Sequence, residues 1–462
     1  MDSFISNNVL SSYLSLEKME NKQVLIYTDA ITPRLKYAAR LLLETILRIP
    51  SVITNEREEF LCYKGPKICY GSEKFDQAFH INPSGLLTET GLRNFVPAAD
   101  VVEGMPVLFP AKDADSYFDI FSAAFYLVTR YEEYLPFHPD PHGRFPATES
   151  ILYRRGWLDR PLVNEWAFWL ASKLASVFPD FSYNEPPYQC FPTIDVDSAF
   201  AYCHKGILRN FGGAIRDFFL NRKPGLYERI SCLTGKREDP FNTFEWIHRI
   251  HNHFGLSARW FFLLGSYGRY DKNISPAHPA MQKIIQDCAA NGLVGIHPSY
   301  HSFRSEQRMM REKELAESVL RQSVFMSRQH FLRMRFPETF RNLIRIGIRE
   351  DYSLGYSTHP GFRAGITTPF LFYDLLGEET TNLMLYPFVF MDRTFYGPDG
   401  KVAENAAEVA ENIIQTVQRV KGILIFIFHN ETFADAGRGW RDFYQKILAL
   451  AINPFDDQVS GS

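Results

Sequence analysis

The sequence predicts an α/β protein of two units, and three observations carry that prediction. Short apolar runs alternate with amphipathic stretches along the second half, a strand, turn and helix open the first half, and a proline-rich break separates them. Single hydrophobic cores rarely grow beyond roughly 250–300 residues, so a chain of 462 residues has room for two.

The first unit, residues 1–184, opens with the apolar run Gln23–Thr28 and the helical stretch Arg34–Leu47. A second helix is predicted over Tyr117–Glu133, where Phe118, Phe121, Ala124, Leu127 and Val128 mark an apolar face, and a third over Leu162–Val177. Pro179, Pro186 and Pro187 then interrupt the pattern and place the boundary. In the second unit, residues 185–462, the candidate strands are Gln189–Ile194, Ala258–Leu264, Gly292–Ile296, Leu383–Phe390 and Ile423–Phe428. Helical patterns at Phe244–His253, Met281–Asn291, Glu306–Ser323 and Glu404–Arg419 lie between them. Strands alternating with helices imply a parallel sheet, either open or closed into a barrel.

Composition excludes several classes. Lys and Arg total 50 against 53 Asp and Glu, a formal charge of −3, without the basic excess that nucleic-acid binding requires. Six cysteines without a Cys-x-x-Cys pair are too sparse for a disulfide framework and fit reduced thiols in a cytoplasmic protein. The Met1–Asn8 start lacks a basic segment followed by an apolar run, so no signal peptide is expected. The most apolar stretch, Ile423–Phe428, is far short of the roughly 18–20 residues that span a bilayer. Residues 204–237 depart from the rhythm, being rich in Lys and Arg with Phe211, Phe218, Phe219 and Leu220 interleaved. Such a segment either touches an anionic membrane surface peripherally or packs on the domain with its charges in water.

Three constellations carry chemistry. Thr193-Ile194-Asp195-Val196-Asp197 ends a predicted strand in two acids, at the sheet edge where parallel α/β folds build their sites; Asp-x-Asp also occurs in turns and helix caps. His297-Pro298-Ser299-Tyr300-His301 follows the run Gly292–Ile296; on a helical turn, histidines at i and i+4 share a face and suit one metal. The alternative is two solvent-facing histidines. His429 closes Ile423–Phe428, at the same predicted rim, where an imidazole can serve as proton donor or as a satisfied structural group.

Together these elements resemble the NodB-homology polysaccharide deacetylases, the fourth family of carbohydrate esterases, over roughly the last 270 residues. The resemblance implies a distorted (β/α) barrel for the second unit and a smaller α/β domain before it. It implies Asp195 as catalytic base, Asp197, His297 and His301 as metal ligands, and His429 as the catalytic histidine. It also implies an Arg paired with the base, for which Arg328 in Ser327-Arg328-Gln329-His330-Phe331 is the counterpart, with Arg333 and Arg363 as competitors. Asp392, after Leu383–Met391, matches the acid that orients the histidine. Pro298 stands where Ser or Thr is usual, and no proline follows Arg328 at the usual place. The first unit is similar to poorly characterised modules that precede such domains in some bacterial proteins.

The implied cofactor is a divalent metal, zinc foremost, with cobalt, nickel or iron compatible with the same ligands. The implied reaction is removal of an N-acetyl or O-acetyl group from an acetylated carbohydrate, an envelope or surface polysaccharide or its precursor. Hydrolysis of another amide, such as an N-formyl sugar, and a non-catalytic barrel acting as a binding scaffold are the alternatives.

Overall fold

The structure, a computed structural model, describes residues 23–219, 223–434 and 438–453; the Met1–Asn8 start, read above for the lack of a leader, lies outside them. In the first unit, β1 (Val24–Tyr27), β2 (Ser51–Thr54), β3 (Lys67–Tyr70) and β4 (Phe79–Ile81) form a parallel sheet ordered β2-β1-β3-β4. The connection after β1 is a helix, Pro33–Ala39, that starts cleanly because Thr32 Oγ1 accepts from Leu35 N at 3.1 Å and Pro33 has no N–H to orphan. It widens into a π-helical stretch over Arg40–Ile46. β5 (Ala99–Val102) and β6 (Met105–Leu108) form an antiparallel ribbon. The expected helix over Tyr117–Glu133 is shorter, Ile120–Val128, because Asp119 caps its start and Arg130 turns left-handed beyond its end. The helix Leu162–Val177 has the predicted bounds.

The second unit is built on nine strands: β7 (Gln189–Val196), β8 (Arg259–Phe262), β9 (Leu293–Ile296), β10 (Met326–Ser327), β11 (Glu350–Asp351), β12 (Phe370–Asp374), β13 (Glu379–Leu385), β14 (Phe390–Met391) and β15 (Ile423–His429). Their order is β12-β13-β11-β10-β9-β8-β7-β15-β14, parallel throughout except for β12 against β13. From β7 the chain visits β8 to β11 and β13 in turn, then β14 and β15, which pairs back onto β7. That is the order of a ring cut between β13 and β14. Among the described residues no strand pairing spans that cut, so pairing itself does not close the expected barrel; in the link from β13 to β14, Phe388 N donates to Leu354 O and Val389 N to Ile425 O of β15.

Two local features set the site-bearing strands. Pro192 is tolerated in β7 because pairing with β8 begins only at Thr193. Gly295 lets β9 pass close to its neighbours: a Cβ there would stand 2.8 Å from Met326 O and 2.8 Å from the Phe261 ring.

The boundary expected near residue 184 falls just before β7, yet the two units share one hydrophobic core running from Val24 to Ala451. Buried polar ties reinforce it. Arg34 pairs with Glu378, Tyr37 Oη donates to Leu371 O at 2.7 Å, and Val163 N donates to Gly365 O at 2.8 Å. Arg363 donates to Glu133 Oε2 at 2.6 Å, while Arg130 reaches Glu133 at 2.8 Å and the Arg363 carbonyl.

The basic insertion forms two helices, Ile207–Phe219 and Lys223–Leu233, separated by residues outside the described set. Phe218 side-chain placement and Leu220 also fall outside it. The segment is mixed: Ile207 is 88% exposed and Phe211 66%, while Asn210, Arg229 and Cys232 are buried. Among the described residues no helix is long and apolar enough to cross a membrane.

Candidate metal centre and flanking dyads

The carboxyl ends of β10 and β9, and beyond β8 those of β7 and β15, share one edge of the sheet, and each delivers chemistry at its tip. His429 pairs in register with Asp195, and Ile296 with Ser327, so the residues that follow emerge on one rim. Asp197 and His297 are joined there by His330, which follows β10 by three residues; one potential ligand atom from each lies within 4.8 Å of the others.

Each imidazole is held from behind. His297 Nδ1 sits 2.5 Å from the Arg328 carbonyl, which can only accept, so Nδ1 carries a proton and Nε2 is turned forward. His330 Nδ1 meets Asp271 Oδ1 at 2.8 Å and His429 Nδ1 meets Asp392 Oδ1 at 2.9 Å. All three Nε2 atoms then face Asp197, at 3.2 Å for His297, 3.3 Å for His330 and 3.7 Å for His429. The His297 approach is not aligned as a hydrogen bond, and Asp197 Oδ1 is left buried without a hydrogen-bond partner. A buried carboxylate oxygen beside forward-facing imidazole nitrogens is the donor set of a divalent transition metal. The residues present therefore fit the implied cofactor.

The same groups are coupled electrostatically. Burial would raise the Asp197 carboxyl, but the facing His330 and His429 rings hold it well below the usual range. Burial would lower His330, yet Asp197 and Asp271 carry it up to about 10. His429 is lowered by burial and raised more strongly by Asp392 and Asp197, to about 9.

Two dyads flank this cluster. Asp195, 2% exposed, accepts from Arg328 Nη1 at 2.8 Å, and the same nitrogen donates to Thr193 Oγ1 at 2.7 Å. Arg328 Nε donates to Tyr352 O at 2.9 Å, and its guanidinium lies over Phe261 at 4.5 Å, so the fully buried cation is locked in position. The competitors are engaged elsewhere: Arg333 donates to His142 O and Tyr300 O, and Arg363 binds Glu133. Asp392 also accepts from His429 N at 2.9 Å and from the Thr432 hydroxyl, fixing the ring of His429.

His301 is the residue the structure does not bring in. Residues 297–299 are not helical and Tyr300 begins a turn, so i and i+4 do not share a face, and His301 is exposed outside the cluster. His330 takes the place expected for it, with Asp271 as its support; neither was singled out from the sequence. The readable signal for His330 was its position two residues beyond Arg328, on the same rim.

Asp195, Asp197, His297, His330 and His429 line a cavity of about 430 Å³, with His142 and Arg144 of the first unit on its wall. Arg144 Nη1 donates to Phe331 O at 2.8 Å, and His142 Nδ1 lies 3.0 Å from Tyr300 Oη, which fixes that wall.

Residues 24–179 match the model of a family of unknown function, DUF7033. No curated protein matches the chain. Among solved structures, a putative polysaccharide deacetylase from Mycobacterium smegmatis is similar at 17% identity and a TM-score of 0.37, covering 59% of this chain and 86% of that one. A polysaccharide deacetylase from Bacillus cereus is similar at 10% identity and a TM-score of 0.29, covering 59% and 94%. A probable polysaccharide deacetylase from Pseudomonas aeruginosa is similar at 10% identity and a TM-score of 0.35, covering 58% and 88%. Likeness at this level assigns neither activity nor substrate.

Proposed function

We propose that the chain is a metal-dependent hydrolase that removes an acetyl group from an amino sugar of a polysaccharide or its precursor. The observation that carries the reading is the convergence, in one cavity, of the Asp197–His297–His330 cluster with an Asp195–Arg328 pair and a His429–Asp392 pair. Asp197, His297 and His330 would hold the metal. When bound, a divalent cation supplies Lewis-acid polarisation of the acyl carbonyl and lowers the pKa of water toward about 7.

The rest is the work of the chain's own groups. Asp195, fixed by Arg328, takes the proton of the attacking water. His429, protonated and oriented by Asp392, gives its Nε2 proton to the departing nitrogen. Water adds to the acyl carbon, the carbon–nitrogen bond breaks, and acetate and a free amine result. The motif resemblance over Asp195–Asp197, His297 and His429 supports the acyl and sugar classes.

The experiment is metal analysis of the purified protein, together with detection of the acid released from N-acetylated and N-formylated amino-sugar oligomers. Acetate release that Asp195→Asn abolishes with metal retained supports the proposal. Formate release alone would reassign the acyl group, and a protein with neither stoichiometric metal nor acyl release would be a binding scaffold.

We also propose that the helices of 207–233 touch an anionic membrane surface. Ile207, Phe211 and Ile215 recur every four residues along one helix and are exposed, while Lys205, Lys236 and Arg237 flank the pair. Co-sedimentation with phosphatidylserine vesicles but not phosphatidylcholine vesicles, lost in Phe211→Asp, supports it; equal behaviour of the two proteins would overturn it.

A further inference from the structure

We propose that the groove leaving the metal cluster past His330 and Phe331 is a subsite for an anionic group, a phosphate or a carboxylate, on the same glycan whose amide reaches Asp195 and His429. The inference rests on the function proposed above for the word glycan, and on independent residues for the anion.

A second cavity, about 520 Å³, opens against the first and shares Asp197, His330, Phe331 and Arg393 with it. One molecule can therefore occupy both. Its wall carries four cations, Lys205, Arg269, Lys272 and Arg393, against the carboxylates of Asp197 and Glu431. Those two acids are already engaged: Glu431 pairs with Arg393 at 2.7 Å, and Asp197 faces the three imidazoles. Lys205, Arg269 and Lys272 make no ion pair among the described residues.

Lys205 is the most telling of the three. It is half-buried with its ammonium 6.0 Å from the Phe241 ring, and burial with the nearby Arg209 pushes it down to about 8. Partial desolvation of a cation without a carboxylate partner is costly, and a bound anion would offset it. A third cavity shares Lys205, Phe241 and Glu431 and extends the wall toward Arg237, which is matched by Glu228 at 3.2 Å. These cations line a concave wall, where the field on an incoming anion is focused. Tyr270 and Phe331, with ring centroids 5.5 Å apart, supply apolar faces between the metal cluster and the cations, on which a sugar ring can lie.

The test is calorimetric binding to the full-length protein as purified, with three N-acetylglucosamine-containing oligosaccharides of equal length. One is neutral, one carries glucuronate and one carries a phosphate monoester. The proposal expects an anionic probe to bind about tenfold more tightly than the neutral one, with the advantage fading at high salt. Arg269→Glu combined with Lys272→Glu, both at exposed positions, should erase the advantage and leave neutral binding unchanged; Lys205→Ala should reduce it. The stronger of the two anionic arms identifies the anion. Equal affinity for all three probes, or an advantage that survives both variants, overturns the proposal. Because the readout is binding, a protein that releases no acyl group yet keeps the anionic preference would sink the hydrolase reading and leave this one standing.

Discussion

His330 Nε2 stands 3.3 Å from Asp197 Oδ2 while its Nδ1 is held 2.8 Å from Asp271 Oδ1, so one ring is clamped between two carboxylates with its forward nitrogen in the cluster. His301, the residue that the motif spacing favours, has neither contact. His330→Ala should lower metal affinity by more than about tenfold, and Asp271→Asn by about 10–100-fold through the loss of the supporting carboxylate. His301→Ala should retain metal at the wild-type level. Competition with a chromophoric chelator measures all three.

The Asp195–Arg328 pair is fully buried, and removing one partner strands the other. Arg328→Met leaves the Asp195 carboxylate and the Thr193 hydroxyl without their donor and should cost about 3–5 kcal/mol. Urea unfolding followed by fluorescence reads the loss. An unchanged midpoint would show that the pair contributes nothing to stability.

Asp392→Asn should leave metal content unchanged and lower turnover by about 10–100-fold, because the amide still fills the space but no longer favours the protonated, correctly turned ring of His429. Steady-state kinetics beside metal analysis separate this outcome from simple loss of the site.

Acid sensitivity has an identifiable contributor away from the site. His251 is buried against Tyr444, with its Nε2 2.6 Å from Tyr444 Oη, and burial pulls its pKa down to about 3. The neutral ring therefore contributes stability that is fully present above the unfolded value near 6.5 and is lost as pH falls toward the folded one. Between about pH 6.5 and 4.5, wild type should lose roughly 2–3 kcal/mol more than His251→Gln. Denaturant titrations of both proteins at several pH values give the difference directly.

Gly295→Ala should destabilise the protein by about 1–3 kcal/mol, since the new methyl meets a backbone carbonyl rather than a movable side-chain end. The thermal midpoint, together with metal affinity, will show whether the displaced β9 carries His297 with it.

Legibility in the sequence followed the length of the element. The eight-residue β7 and seven-residue β15 announce themselves as apolar runs, and Asp195, Asp197 and His429 could be placed at their tips. The helices Leu162–Val177 and Phe244–His253 have enough turns to show their period. β10 and β11 are two residues each, too short for any periodicity, and β10 is the strand that delivers Arg328 and His330. Arg328 was found only through its motif, and His330 stood beside it unread. For His297 the expectation was a strand followed by a helical turn: the strand is there, but the helical turn is not. Asp271 lies in a loop whose position relative to β10 no local pattern encodes.

The Arg130–Glu133–Arg363 cluster has a practical consequence for anyone dividing this chain. Cutting it near residue 185 would leave Arg363 buried without its countercharge, uncover the apolar flank that Leu152 and Val163 now protect beside Gly365, and remove His142 and Arg144 from the cavity wall. The second unit is thus not a free-standing module with an accessory in front of it. A fragment starting at Gln189 should aggregate on expression, and co-expression with residues 23–184 should restore a soluble pair.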